Sequence, residues 1–153
     1  MRKNMKSFLL AGTFMLSALI FIVACGGSGK DPEIQKLKEE TIAVHDEIMP
    51  QVATFDRHTV KIDTILINLD SLYQANPSLD TAGIRHELAT LKDRLESATD
   101  QMMTWMMEFE DDPQGMSSEE VKAYYESELA KITKMRDLFN DVSKESADKL
   151  ANY

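Results

Sequence analysis

Cys25 is the chain's only cysteine. No internal disulfide and no thiolate-rich metal site can form within one copy. Under oxidising conditions, packing alone would have to hold such a domain together. Catalytic signatures are missing as well. There is no H-E-x-x-H, and no glutamate stands three positions before His45, His58 or His86. That excludes the zinc-protease pattern and the ferritin-type carboxylate pattern. No glycine-rich phosphate loop, G-x-S-x-G or C-x-x-C-H occurs. No segment alternates with the two-residue period of a strand, and no internal repeat recurs. Positive charge is scarce. Of the 17 Lys and Arg, three lie in the first six residues, so from Cys25 onward the net charge is 14 − 26 = −12, with His neutral. A domain this acidic does not seek nucleic acid or anionic lipid through its bulk field.

The beginning of the chain is of a different kind. Arg2, Lys3 and Lys6 precede an uncharged apolar run from Phe8 to Ala24, the layout of a secretory signal. The run is nearly long enough to span a bilayer, so an uncleaved anchor is the competing account. Gly12, Thr13 and Ser17 dilute it, and its end reads Ile22-Val23-Ala24-Cys25. That end resembles a bacterial lipobox, with Cys25 as the lipidated first residue of the mature protein. A palmitate-type acyl group joined by a second or third chain anchors stably, where one chain is marginal. The expected organisation is a signal peptide at 1–24, the lipidated cysteine and a Gly/Ser tether at 25–30, and one domain at 31–153.

Hydrophobic period predicts three helices, at about 31–75, 80–110 and 117–148. Asp31-Pro32-Glu33 suits a helix start. An apolar stripe then runs from Ile34, Leu37, Thr41, Val44, Ile48 and Phe55 on through Ile62, Ile65, Leu66, Leu69 and Leu72. Pro50 interrupts it without a polar gap, which predicts a kink rather than a loop. Ile84, Leu88, Leu91, Leu95, Ala98, Met102, Trp105 and Phe109 alternate spacings of four and three, a coiled-coil-like seam. Ser117 and Glu120 form a capping box, with Met116 and Val121 placed for a hydrophobic staple. Val121, Tyr125, Ile132, Met135, Phe139 and Val142 form the third inner face, and residues 145–153 are expected to fray. Short connections make the fold an all-α, antiparallel up-down-up three-helix bundle with a Pro-kinked long first helix.

Equal rise per residue pairs first- and second-helix positions whose numbers sum to about 156. Trp105 then lies near Gln51, and Val121 is expected near Met49. One end of the bundle would gather His45, Met49, Pro50, Met102, Trp105, Met106, Met116, Val121 and Tyr124, while residues 31–44 overhang as a stalk. The stretch MMTWMMEFE, residues 102–110, sets four methionines around the only tryptophan. Met102 and Trp105 point to the seam, with Met106 beside it. Met103 and Met107 fall off it, and are either wrapped by chain or left as a soft exposed patch. Three accounts stand side by side. Methionine fills irregular core gaps. A Met-rich surface docks a partner protein. Or His45 and Met49, with Met102 or Met106 and the Trp105 ring, offer imidazole and thioethers to Cu(I). His58 and His86 read as surface or flanking residues. His45-Asp46-Glu47 reads as a solvated face, and Glu108, Glu110, Asp111 and Asp112 as a flexible acidic loop.

The lipobox, His45-Asp46-Glu47-Ile48-Met49-Pro50, Met102-Met103-x-Trp105-Met106-x-x-Phe109 and Met116-Ser117-x-Glu119-Glu120 occur together. The combination resembles small envelope lipoproteins of the Bacteroidetes type, some labelled "viral A-type inclusion protein", a name that reflects coiled-coil similarity. The resemblance implies a helical bundle on the cell envelope, with the outer membrane favoured over the inner by Gly26 after Cys25. It implies no activity, and no functional residues transfer from it. The expected function is that of a non-enzymatic, lipid-anchored interaction module with an envelope protein partner. Soft-metal or small-ligand binding at the His/Met/Trp cluster is the alternative.

Overall fold

Each helix begins where a side chain satisfies the first free amides. Asp31 accepts from the Glu33 amide at 2.8 Å, and Pro32 opens α1, Pro32–Ala75. Asp80 accepts from the Gly83 amide at 2.9 Å and starts α2, Thr81–Glu108. Ser117 and Glu120 form both halves of the capping box that opens α3, Ser118–Leu150. The structure is a computed structural model that describes residues 31–151 and 153. The expected signal peptide, Cys25 and the tether lie outside the described residues.

The three helices pack on one another as a bundle, with no strand among the described residues. α1 is continuous through Pro50. That proline is exposed, so its ring lies on the solvent side, and the helix forgoes only the bond to the Asp46 carbonyl. The main core joins Ile48, Phe55, Ile62, Leu88, Leu95, Met102, Ile132, Phe139 and Val142. Phe55 and Phe139 meet at 4.9 Å between ring centroids, worth about 0.5–1.5 kcal/mol beyond area burial.

The α1–α2 register is the expected one. Asp63 pairs with Lys92 at 2.6 Å, and Asp70 with Arg85 at 3.8 Å. The α1–α3 register is not. Glu33–Lys122, Glu47–Arg136, His58–Ser146 and Lys61–Leu150 are all separated by 88 or 89 positions. Val121 beside Met49 would have required 72. The difference of about 17 residues slides α3 about 25 Å toward the start of α1.

The cause is the connection at 109–117. It does not reverse at the end of α2. The backbone is extended at Phe109 (ψ 124°) and again at Ser117 (ψ 165°), and the chain continues down α1 before α3 turns back. Lys38 marks the route, donating to the Asp111 carbonyl at 2.7 Å. Gly115, at φ 78°, takes the one left-handed step. Residues 31–44 are consequently no stalk. Ile34 packs with Val121 and Tyr125, and Thr41 is fully buried. Met116 is half-exposed, and Val121 packs on Ile34 and Tyr125.

At the other end α3 runs further than the expected fray allows. It stays helical to Leu150, which is buried in the main core. Beyond that level α1 and α2 continue as a two-helix hairpin, where the expected core residue Leu72 is exposed alongside Tyr73 and Ile67.

Candidate functional site

Trp105 organises the region that the methionines flank. Its ring stacks on His45 at 5.7 Å and on Phe109 at 4.8 Å. Its indole N–H donates to Glu128 Oε2 at 2.8 Å, and Lys131 donates to Glu128 Oε1 at 2.7 Å. Glu128 is only 5% exposed. A carboxylate so buried is costly unless both oxygens find donors, and here both do.

The stack extends from Phe109 to Tyr124 and Tyr125, each at 6.3 Å. Those phenols hold the acidic segment. Tyr124 Oη accepts from the Glu110 amide at 2.7 Å, and Tyr125 Oη donates to the Asp111 carbonyl at 2.7 Å. Burial pushes the Tyr125 phenol up to about 12, with the Asp111 carboxylate adding to it. Burial also raises Tyr124. Asp111 also forms an ion pair with Lys38 at 2.8 Å. The expected loose loop of Glu110, Asp111 and Asp112 is thus tied at two of its three residues to α1 and α3.

The methionines divide. Met102 is fully buried, and Met49 and Met103 are half-buried against the core. Met106 is 42% exposed and Met107 80%. One helical turn therefore supplies both core filling and open surface, because successive residues step about 100° around the axis. Trp105 and His45 come together as expected. Val121 does not join them, having moved with α3 to Ile34.

His45 and Asp46 interact rather than diverge. The ring Nδ1 lies 2.9 Å from Asp46 Oδ1. A carboxylate only accepts, so Nδ1 carries the proton, and in the neutral ring Nε2 presents a bare lone pair. That Nε2 is buried and has no hydrogen-bond partner among the described residues. His58, expected as a surface or flanking residue, is half-buried and bonded at 2.9 Å to Ser146 Oγ. Ser146 gives its own proton to the Ser143 carbonyl at 3.0 Å, so His58 Nδ1–H donates. Burial first, then Arg57 and Lys61, hold the His58 pKa below its ordinary 6.5.

Between α2 and α3 lies an open groove of about 760 Å³. Asp93, Glu96, Asp100 and Glu108 of α2 line one side, and Lys131 and Lys134 of α3 the other. Trp105, Met135 and Leu138 supply its apolar surface. Glu108 and Lys131 are shared with a second hollow of about 610 Å³ that runs on to Met116 and Tyr124. Among the described residues, no three His, Asp or Glu side chains gather as metal ligands. No helix among them is long and apolar enough to cross a membrane. Comparison with protein-family models, curated proteins and solved structures finds no match.

Proposed function

We propose that the chain is an envelope lipoprotein, anchored through acylated Cys25, whose three-helix domain is a non-enzymatic protein-interaction module. The contact region is the Trp105 end of the bundle. The observation that carries this is Met107, a large apolar side chain left 80% exposed beside half-exposed Met106. Thioethers are soft and conformationally adaptable, so an exposed pair suits a partner surface that must fit without a rigid template. The outer membrane is the favoured location, and the acidic surface keeps the domain in solvent above it.

The experiment is site-directed photocrosslinking at position 107 in the full chain in its own envelope. A discrete adduct, lost when Met106 is changed to Lys, supports the module. An adduct pattern indifferent to that change refutes it. Cys25→Ser tests the anchor: the expected outcome is loss of the acyl mass and release from the membrane fraction.

One observation favours a second reading, a soft-metal site. The buried Nε2 of His45 has no hydrogen-bond partner among the described residues, its other nitrogen is held by a carboxylate, and Met49 follows one helical turn on. A metal-binding histidine is usually held at its other ring nitrogen by a carboxylate or carbonyl, and Cu(I) accepts imidazole with thioethers. Anaerobic Cu(I) titration read by Trp105 emission decides it. Saturation at one equivalent, lost in His45→Ala and in Met49→Leu, supports the site; an unchanged signal with an intact helical spectrum removes it.

A further inference from the structure

We propose that the groove between α2 and α3 docks a basic amphipathic helix of a partner protein; this rests on the interaction-module reading and names the partner's chemistry. The groove has the two components such a helix requires. Its buried lining is apolar, from Trp105 and Met135. Its α2 rim is anionic, and three of the carboxylates there are unspent. Glu96 pairs with Lys92 at 3.7 Å. Asp93, Asp100 and Glu108 have no ion-pair partner among the described residues. On the α3 side, Lys131 is taken up by Glu128 at 2.7 Å, and Lys134 is the one lining lysine without an ion-pair partner among the described residues, so the unpaired carboxylates of the rim still outnumber the unpaired cation.

The spacing narrows the occupant further. Asp93, Asp100 and Glu108 fall seven and eight residues apart, so they recur within an arc of about 80° on α2 over about 22 Å. A helix laid along the groove has the same rise. Its cations would recur at intervals of seven or eight residues, beside an apolar face directed at Trp105. A second copy of this chain is a poor occupant, because the net charge of −12 from Cys25 onward would set like charge against the rim.

The test uses the full chain in detergent micelles and a synthetic helix-forming peptide with Lys at i, i+7 and i+15 flanking a Leu face. Its twin carries Glu in place of Lys. Trp105 is the only tryptophan, so its emission reports occupancy when the peptides lack Trp. The expected result is one-to-one saturation with the Lys peptide and none with the Glu peptide. Asp93→Lys with Asp100→Lys should weaken binding at least tenfold. Asp56→Lys with Glu126→Lys makes the same charge change away from the groove and should leave affinity within about twofold, since exposed charges at a distance are screened.

Three results overturn the groove. The Lys peptide fails to bind, both variant pairs weaken it equally, or sedimentation shows a dimer that the groove pair dissociates. Met107→Lys separates this proposal from the module reading. If that variant abolishes binding and the groove pair does not, the groove is wrong and the Met surface stands. If crosslinking at 107 also finds no partner, the module reading itself fails.

Discussion

Ile34→Ala sets two descriptions of the chain's first turns against each other. Were residues 31–44 a free stalk, Ile34 would face water, and alanine, the better helix former, would be neutral or stabilising by a few tenths of a kcal/mol. In the structure Ile34 is 3% exposed and packs on Val121 and Tyr125. Truncating a buried isoleucine costs about 2–5 kcal/mol through lost transfer energy and the cavity left behind. The Ile34 cluster is small and close to the helix ends, where neighbours relax into a void, so about 2–3 kcal/mol is the appropriate part of that range. For a domain of this length that lowers Tm by about 6–12 °C. Thermal unfolding followed by circular dichroism measures it, with exposed Glu39→Ala as the control. A Tm within a degree of the parent would refute the packed N-terminal turns, and with them the 89-residue offset of α3 from α1 shown by Lys122 and Glu33.

Three further outcomes are expected. Glu128→Leu leaves the buried Trp105 N–H without its acceptor and should cost about 1–3 kcal/mol in urea unfolding, while Glu128→Gln keeps an acceptor oxygen and should cost less; a Leu variant as stable as the parent contradicts the assigned bond. His58 has a folded pKa below 6.5, so the unfolded chain binds the extra proton. Stability is then whole above that value and falls as pH drops through it toward the folded pKa, and the pH 7.5-to-5.5 loss in Tm should shrink in His58→Gln; equal losses refute the burial. Ser117→Ala removes half the capping box and should destabilise by about 1 kcal/mol, seen as a lower urea midpoint at unchanged m-value.

The helices were legible because their signals are local. Asp31, Ser117 and the four-three spacing of Leu88 to Trp105 act within a turn or two of themselves. The α1–α2 register was legible too, since a connection as short as 76–80 leaves one way to fold back. The placement of α3 was hidden in the conformation of 109–117, which spacing alone does not define. A turn and an extended run of that length have the same composition. A second signal was nevertheless present. Ile34, Leu37, Thr41 and Val44 keep helical apolar spacing along the supposed stalk, and such a stripe needs a partner. The inner face of α3 tells the same story. Val121, Tyr125, Glu128, Ile132, Met135, Phe139, Val142, Ser146 and Leu150 step by four and three without a break, and all are buried. Glu128 and Ser146 drop out of a reading that looks for apolar residues, although position alone places them inside.

The candidate site was only half legible, because a cluster in sequence is not a cluster in space. MMTWMM reads as one feature, and 100° per residue divides it. Met102 goes to the core and Met107 to water, while Trp105 stays at the boundary between them. The polar partners of Trp105 are contributed from elsewhere: Glu128 of α3 on the indole N–H, and His45 of α1 on its face. Neither lies near Trp105 in sequence, and Glu128 reaches it only through the offset that the loop imposes. With its N–H spent on Glu128 and its ring stacked on His45 and Phe109, Trp105 offers the groove only a narrow apolar edge. Specificity there must come from the unpaired carboxylates of the rim, so an uncharged apolar helix should bind the groove more weakly than a basic one of equal hydrophobicity.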